Sequence, residues 1–208
     1  MDKRPLKEYY KENVDEYFEV QKNEMVLTRY TKGDMESLID KIDLLSRLIK
    51  IKGTFLDIGG GDGWTCEYIV KNFLDTEVIN YDLNPEKQKY STVARNICGD
   101  CHNLQLEDNS VDIVFNSHTF EHILDQKRFV EECMRVLKHG GYLYTVVPID
   151  AEDDDNISHI SPFYSRDEYM NVIKDVINNE QILFCEVIQN RLSYRKILEI
   201  VSLIQKKA

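Results

Sequence analysis

Positive charge is in deficit: 26 Lys and Arg stand against 37 Asp and Glu, a formal net charge of −11. Such a chain repels phosphate backbones, and no local basic patch offsets the repulsion, so nucleic acid is not an expected partner. Long apolar runs are missing too. No stretch of about 18 apolar residues exists to span a bilayer, and residues 1–10 lack the apolar segment of a secretory signal. The expectation is therefore no membrane association and a cytoplasmic location. The five cysteines (66, 98, 101, 133 and 185) are an odd number scattered through apolar segments, which fits reduced core thiols better than a disulfide framework. What is present suffices for one soluble domain. A chain of 208 residues with an apolar fraction of 42% needs neither disulfides nor metal to hold its core.

Residues 1–33 are rich in Lys, Glu and Tyr, with Tyr9, Tyr10, Val14, Tyr17, Phe18, Val20 and Met25 at loosely helical intervals. They read as an amphipathic extension. Asp34 can cap a second helix whose apolar positions, Leu38, Ile39, Ile42, Leu45, Leu48 and Ile49, recur at three and four residues. Short β-prone runs then alternate with helical patterns. Strands are expected at 54–58, 77–81, 96–98, 111–116 and 141–147, and helices after 63, near 85–93 and at 125–137. Beyond an acidic stretch ending near Pro162, the pattern gives a helix opened by Ser165, a strand at 181–188 and a final helix at 193–206. The fold class is α/β, a Rossmann-like, doubly wound, mostly parallel sheet with helices on both faces and a helical N-terminal extension. Residues 1–208 read as one domain, divided into a cap (1–50), a central core (53–148) and a far segment forming the sheet edge (149–208).

The segment Asp57-Ile58-Gly59-Gly60-Gly61-Asp62-Gly63 lies where a strand turns into a helix, the place where open α/β sheets bind ligands. Glycines there allow the turn and a close approach of backbone to ligand. A dinucleotide fingerprint, read from Gly59, would put its third glycine where Trp64 stands, and Asp62 would repel a pyrophosphate. A ligand with an ammonium or sulfonium group suits the loop better.

Leu56-Asp57-x-Gly59-x-Gly61-x-Gly63 resembles motif I of the class I S-adenosylmethionine-dependent methyltransferases. The resemblance implies that Gly59, Gly61 and Gly63 accommodate the methionine part of the cofactor and that Asp57 supports its ammonium. Asp82, 25 residues after Asp57 and followed by Leu83, matches the family acid that accepts from both ribose hydroxyls, a task suited to an acceptor-only carboxylate. Gly99-Asp100-Cys101 resembles the adenine-holding segment. Residues 111–118 resemble the fourth strand, with Asn116 and Ser117 facing the cofactor, and 135–143 resemble the helix-to-strand connection that follows. Together these residues imply an enzyme that uses S-adenosylmethionine, releases S-adenosylhomocysteine and methylates oxygen or nitrogen of a small-molecule or sugar-like acceptor.

Methyl transfer to a hydroxyl needs a positioned nucleophile and a proton acceptor. His118 and His122, four apart and just past the fourth strand, and His159, in the acidic segment beyond the fifth, are the candidates; His102 and His139 read as surface-loop residues. His118-x-x-Glu121-His122 with His159 also has enough ligands for a divalent cation. It bears a faint likeness to the Glu-x-x-Glu-His metal site of small-RNA 2′-O-methyltransferases, but His stands at the first Glu and the net charge opposes RNA, so no metal is expected. Aromatics of the extension, Tyr9, Tyr10, Tyr17, Phe18 and Tyr30, could form a lid over the site, and Trp64 reads as packing beside the cofactor. A metal-assisted or RNA-directed methyltransferase and a non-catalytic cofactor-binding partner protein remain the alternatives.

Overall fold

The computed structural model describes residues 4–25, 32–150, 158–190 and 197–207. Among them, seven strands form one sheet in the order β3-β2-β1-β4-β5-β7-β6: β1 (Gly53–Ile58), β2 (Thr76–Asp82), β3 (Arg95–Cys98), β4 (Val111–Ser117), β5 (Leu137–Pro148), β6 (Ile182–Gln189) and β7 (Leu198–Gln205). The first five pair in parallel, whereas β7 runs antiparallel between β5 and β6. Strand order reverses between β1 and β4, which opens a crevice at the carboxyl ends of the strands.

Successive residues of a strand point to opposite faces, so neighbouring apolar residues of β1 build different cores. Leu56 packs with Val114, Leu143 and the buried side of α6 (Gln126–Val136) and α7 (Arg166–Lys174); Phe55 packs with Phe115, Tyr144 and residues of α3 (Lys32–Leu48) and α4 (Trp64–Asn72). The parallel strands are thus covered on both faces, as the alternation of short strands and helices predicts. Two helices, α1 (Arg4–Glu12) and α2 (Val14–Met25), form the N-terminal extension, and their Tyr10 and Tyr17 join a small third cluster with Leu124 and Ile160.

Several expectations need correction. The final helix expected at 193–206 is the strand β7, and residues 191–196 lie outside the described set. Every residue from Glu199 to Ile204 is buried because β7 is covered on both sides and flanked by two strands, so the run carries no period-two signal. Its β-branched Ile200, Val201 and Ile204 favour the pleated form. Helix α3 begins at Lys32, which places Asp34 within its first turn. The helix expected near 85–93 shortens to α5 (Pro85–Gln88), because Asn96 donates its amide hydrogens to the Gln88 and Ser91 carbonyls and ends it early. Cys98 is exposed on the sheet-edge strand, whereas Cys66, Cys133 and Cys185 are buried. Ser165 does cap α7, accepting from the Glu168 N–H.

Candidate active site

The loop between β1 and α4 is held from below by β2. Gly59 donates its N–H to the Tyr81 carbonyl at 2.8 Å, and Asn80 donates to the Gly61 carbonyl at 3.0 Å. Gly59 has a φ of +77°, and a Cβ there would stand 2.0 Å from Thr119 Oγ1. Glycine is therefore required by conformation and by contact together. Gly63 caps α4.

Asp82 ends β2 and is 2% exposed. Its Oδ2 accepts the Gly61 N–H at 2.8 Å and its Oδ1 the Asn84 N–H at 2.7 Å. A carboxylate has about four acceptor sites, so two further donors can be satisfied there. Burial raises its pKa, and the two N–H donors work against that rise. Asp57 lies deeper, 2% exposed, beside Thr65 and Cys66 of α4. Burial pushes its carboxyl up to about 7, partly relieved by the Thr65 hydrogen bond.

These strand ends border an open cleft. Gly59, Asp82, Leu83, Asp100 and Cys101 form one part of its wall, Thr119 and His122 another, and Tyr17 and Phe18 close over it from α2. The Tyr17 hydroxyl donates to the His122 carbonyl at 3.2 Å, so the extension is tied to the loop after β4. Of the aromatics that the sequence offers for a lid, Tyr17 and Phe18 line the cleft, Tyr10 is buried beside Tyr17, Tyr9 is 44% exposed and bonds Glu16, and Tyr30 lies outside the described residues. Trp64 is 44% exposed at the start of α4 and does not line the cleft.

Asp100 is fixed by a residue that the sequence reading left on the surface. His102 donates its backbone N–H to Asp100 Oδ1 at 2.9 Å, and its Nδ1 lies 2.6 Å from the same oxygen. Its Nε2 accepts the Asp125 N–H at 3.1 Å, which leaves the ring proton on Nδ1. The ring thus joins the end of β3 to the N-terminus of α6. Asn116 is fully buried, donating to the Ile58 carbonyl at 2.9 Å, and so fastens β4 to β1; Ser117 is half-buried beside it.

The three candidate histidines are brought together around Glu121. His118 leaves β4 with a φ of +51°, a left-handed conformation uncommon outside glycine, and the chain then makes a 3₁₀ turn over Phe120–His122 instead of a helix. Glu121 Oε1 stands 3.9 Å from His118 Nδ1, 3.8 Å from His122 Nε2 and 4.0 Å from His159 Nε2. Behind them, His118 Nε2 meets Glu199 Oε1 at 2.8 Å, and Glu199 in turn pairs with Lys41 at 2.6 Å. Burial opposes the Glu199 charge, but the His118 and Lys41 contacts outweigh it and hold that carboxyl at about 2. For His118, burial lowers the pKa and the Glu199 hydrogen bond with the two carboxylate charges raises it, the rise prevailing; for His122, burial prevails and lowers it. Glu199 and Lys41 escaped the sequence reading, whereas Asp150, which opens the acidic stretch beyond the fifth strand, proves to be the partner of His159 at 2.8 Å. Glu199 was hidden because its segment read as helix.

A doubly wound sheet with a glycine loop at its switch point and a buried acid ending β2 defines a nucleotide-cofactor protein of the Rossmann-like class. The family model described as a methyltransferase domain matches residues 56–145. Malonyl-[acyl-carrier protein] O-methyltransferase 1 of Coxiella burnetii is 25% identical over 140 residues, covering 64% of this chain and 48% of that protein. Ajmaline N-methyltransferase of Rauvolfia serpentina is 24% identical over 141 residues, covering 62% and 46%. The structure of Haemonchus contortus phosphoethanolamine N-methyltransferase 2 in complex with S-adenosyl-L-methionine aligns with a TM-score of 0.66 at 15% identity, over 90% of this chain and 60% of that one. The chain spans about half the length of the two curated relatives named. Residues 56–145 thus match a methyltransferase domain, and the fold is shared with solved methyltransferases that include a complex with S-adenosyl-L-methionine.

Proposed function

We propose that this protein transfers the methyl group of S-adenosylmethionine to an oxygen or nitrogen of a small-molecule acceptor, releasing S-adenosylhomocysteine. The observation that carries this reading is that Asp82, Leu83, Asp100 and Cys101 share one cleft with His122. Asp82 takes the ribose hydroxyls on its remaining lone pairs, Asp100 and Cys101 hold the adenine, and Gly59, Gly61 and Gly63 shape the methionine end over Asp57. Asn116 and Ser117 support the floor at the end of β4.

The histidines belong to the acceptor end. Nδ1 of His122 lies 2.9 Å from the Ser158 carbonyl and donates to it, which leaves the Nε2 lone pair to serve the reaction. His118 and His159 stand behind it and fix the local charge. Relatives named for O- and for N-methylation support a small acceptor without choosing between the two atoms. The chain charge of −11 disfavours nucleic acid. Among the described residues no helix is long and apolar enough to cross a membrane.

Calorimetric titration with S-adenosylmethionine and with NAD tests the cofactor, and S-adenosylhomocysteine release over a panel of hydroxyl and amine acceptors tests the reaction. Micromolar binding of the methyl donor, absent in Asp82→Ala, followed by turnover on one acceptor class, is the expected result. Binding of NAD alone would overturn the reading.

A further inference from the structure

Glu121 is 1% exposed, and both of its carboxylate oxygens lack a hydrogen-bond partner among the described residues. A buried carboxylate without donors costs several kcal/mol unless something positive meets it. The groups that surround it are three imidazoles, all aimed at Oε1 from 3.8 to 4.0 Å.

The far nitrogen of each ring faces an acceptor. His122 Nδ1 lies 2.9 Å from the Ser158 carbonyl, His159 Nδ1 lies 2.8 Å from Asp150 Oδ2, and His118 Nε2 lies 2.8 Å from Glu199 Oε1. For His122 and His159 an acceptor on the far side places the ring proton there and turns a lone pair toward Glu121. That arrangement, in which the outer N–H is held by a carbonyl or carboxylate, is how metal-binding histidines are oriented. Ligand atoms of Glu121, His122 and His159 all lie within 4.8 Å of one another. Zinc bonds to such atoms are about 2.0–2.2 Å long, so two atoms that share one ion stand roughly 3–4 Å apart. Only a small contraction separates the two geometries.

We propose that Glu121, His122 and His159 form a binding site for a divalent first-row transition metal of the Zn²⁺ type. Two imidazole nitrogens to one carboxylate suit such an ion better than Mg²⁺ or Ca²⁺, which prefer oxygen. His122 also lines the cleft, so the ion stands where it can bind an acceptor oxygen and lower its proton affinity; this consequence rests on the methyltransferase reading, whereas metal binding itself does not.

The test is calorimetry on the chelator-treated full chain, titrated with Zn²⁺ and separately with Mg²⁺, with bound metal counted by atomic emission. One equivalent of zinc at micromolar affinity or tighter is expected, at least a hundredfold tighter than magnesium. Glu121→Gln and His159→Asn should each weaken zinc tenfold or more while the exposed His139→Ala leaves it unchanged. Co²⁺ added to the wild type should shift the ring-proton resonances of His122 and His159, a readout that needs no variant to fold. No zinc binding, equal binding in both variants, or shifts confined to other histidines would overturn the proposal. S-adenosylmethionine is titrated into the same preparations. If zinc binds and the methyl donor does not, the methyltransferase reading fails while the metal site stands.

Discussion

Asp82 Oδ2 lies 2.8 Å from the Gly61 amide nitrogen, so the acid at the end of β2 holds the glycine loop that follows β1. One side chain thereby shapes two parts of the cleft at once. Asp82→Ala should remove that anchor along with the acceptors for the ribose, lowering S-adenosylmethionine affinity by a hundredfold or more. Asp82→Asn keeps the shape and loses charge-assisted bonds worth about 1.5–3 kcal/mol, so a loss of roughly ten- to a hundredfold is expected. Calorimetry on the two variants checks the order.

Gly59→Ala should destabilise the chain and abolish cofactor binding, because the new methyl would meet Thr119 Oγ1 in a backbone conformation that alanine already resists. Gly140 has a comparable φ of +84° with nothing within 4 Å of a built Cβ. Gly140→Ala should therefore cost only the conformational strain, about 1–2 kcal/mol, and leave binding intact. Urea unfolding of the pair separates contact from strain.

Asp57 gives stability a pH dependence of definite sign. Its carboxyl titrates near 7 in the folded chain against 3.8 when free, so between those values the folded state holds a proton that the unfolded state has lost. Stability should fall as pH rises through this window, by up to about 1.4 kcal/mol per unit, and level off above 7. Subtracting the profile of Asp57→Asn from that of the wild type isolates the contribution, and a flat difference between pH 4.5 and 7 would contradict it.

Tyr17 connects the extension to the site. Tyr17→Phe loses only the hydroxyl bond to the His122 carbonyl, about 1 kcal/mol, whereas Tyr17→Ala removes part of the cleft wall and a member of the third apolar cluster. Cofactor affinity should fall less than tenfold in the first and more than tenfold in the second, with the sheet's thermal transition nearly unchanged in both. Fluorescence or calorimetric titration reads the difference.

The residues that the sequence made legible are those whose roles are local. Gly59 to Gly63 follow β1 and Asp82 ends β2, and the strand-helix alternation of 53–148 announces the parallel sheet because its elements succeed one another in sequence order. Ser165 could be recognised as a cap from its own four residues.

The remaining features were decided by packing between distant segments. Buried on both faces, β7 loses the alternation that marks a strand, so neither it nor Glu199 could be placed from sequence. His118 and His122 look like one face of a helix, yet the chain turns at a positive φ and they meet Glu121 from different sides. His159 arrives from 37 residues beyond His122, and Asp150 and Glu199 then set the orientation of the rings. Spacing along the chain determined the glycine loop because a turn is a property of consecutive residues. The carboxylate with three imidazoles depended on the tertiary structure, since only packing can desolvate a charge and bring its neighbours to it.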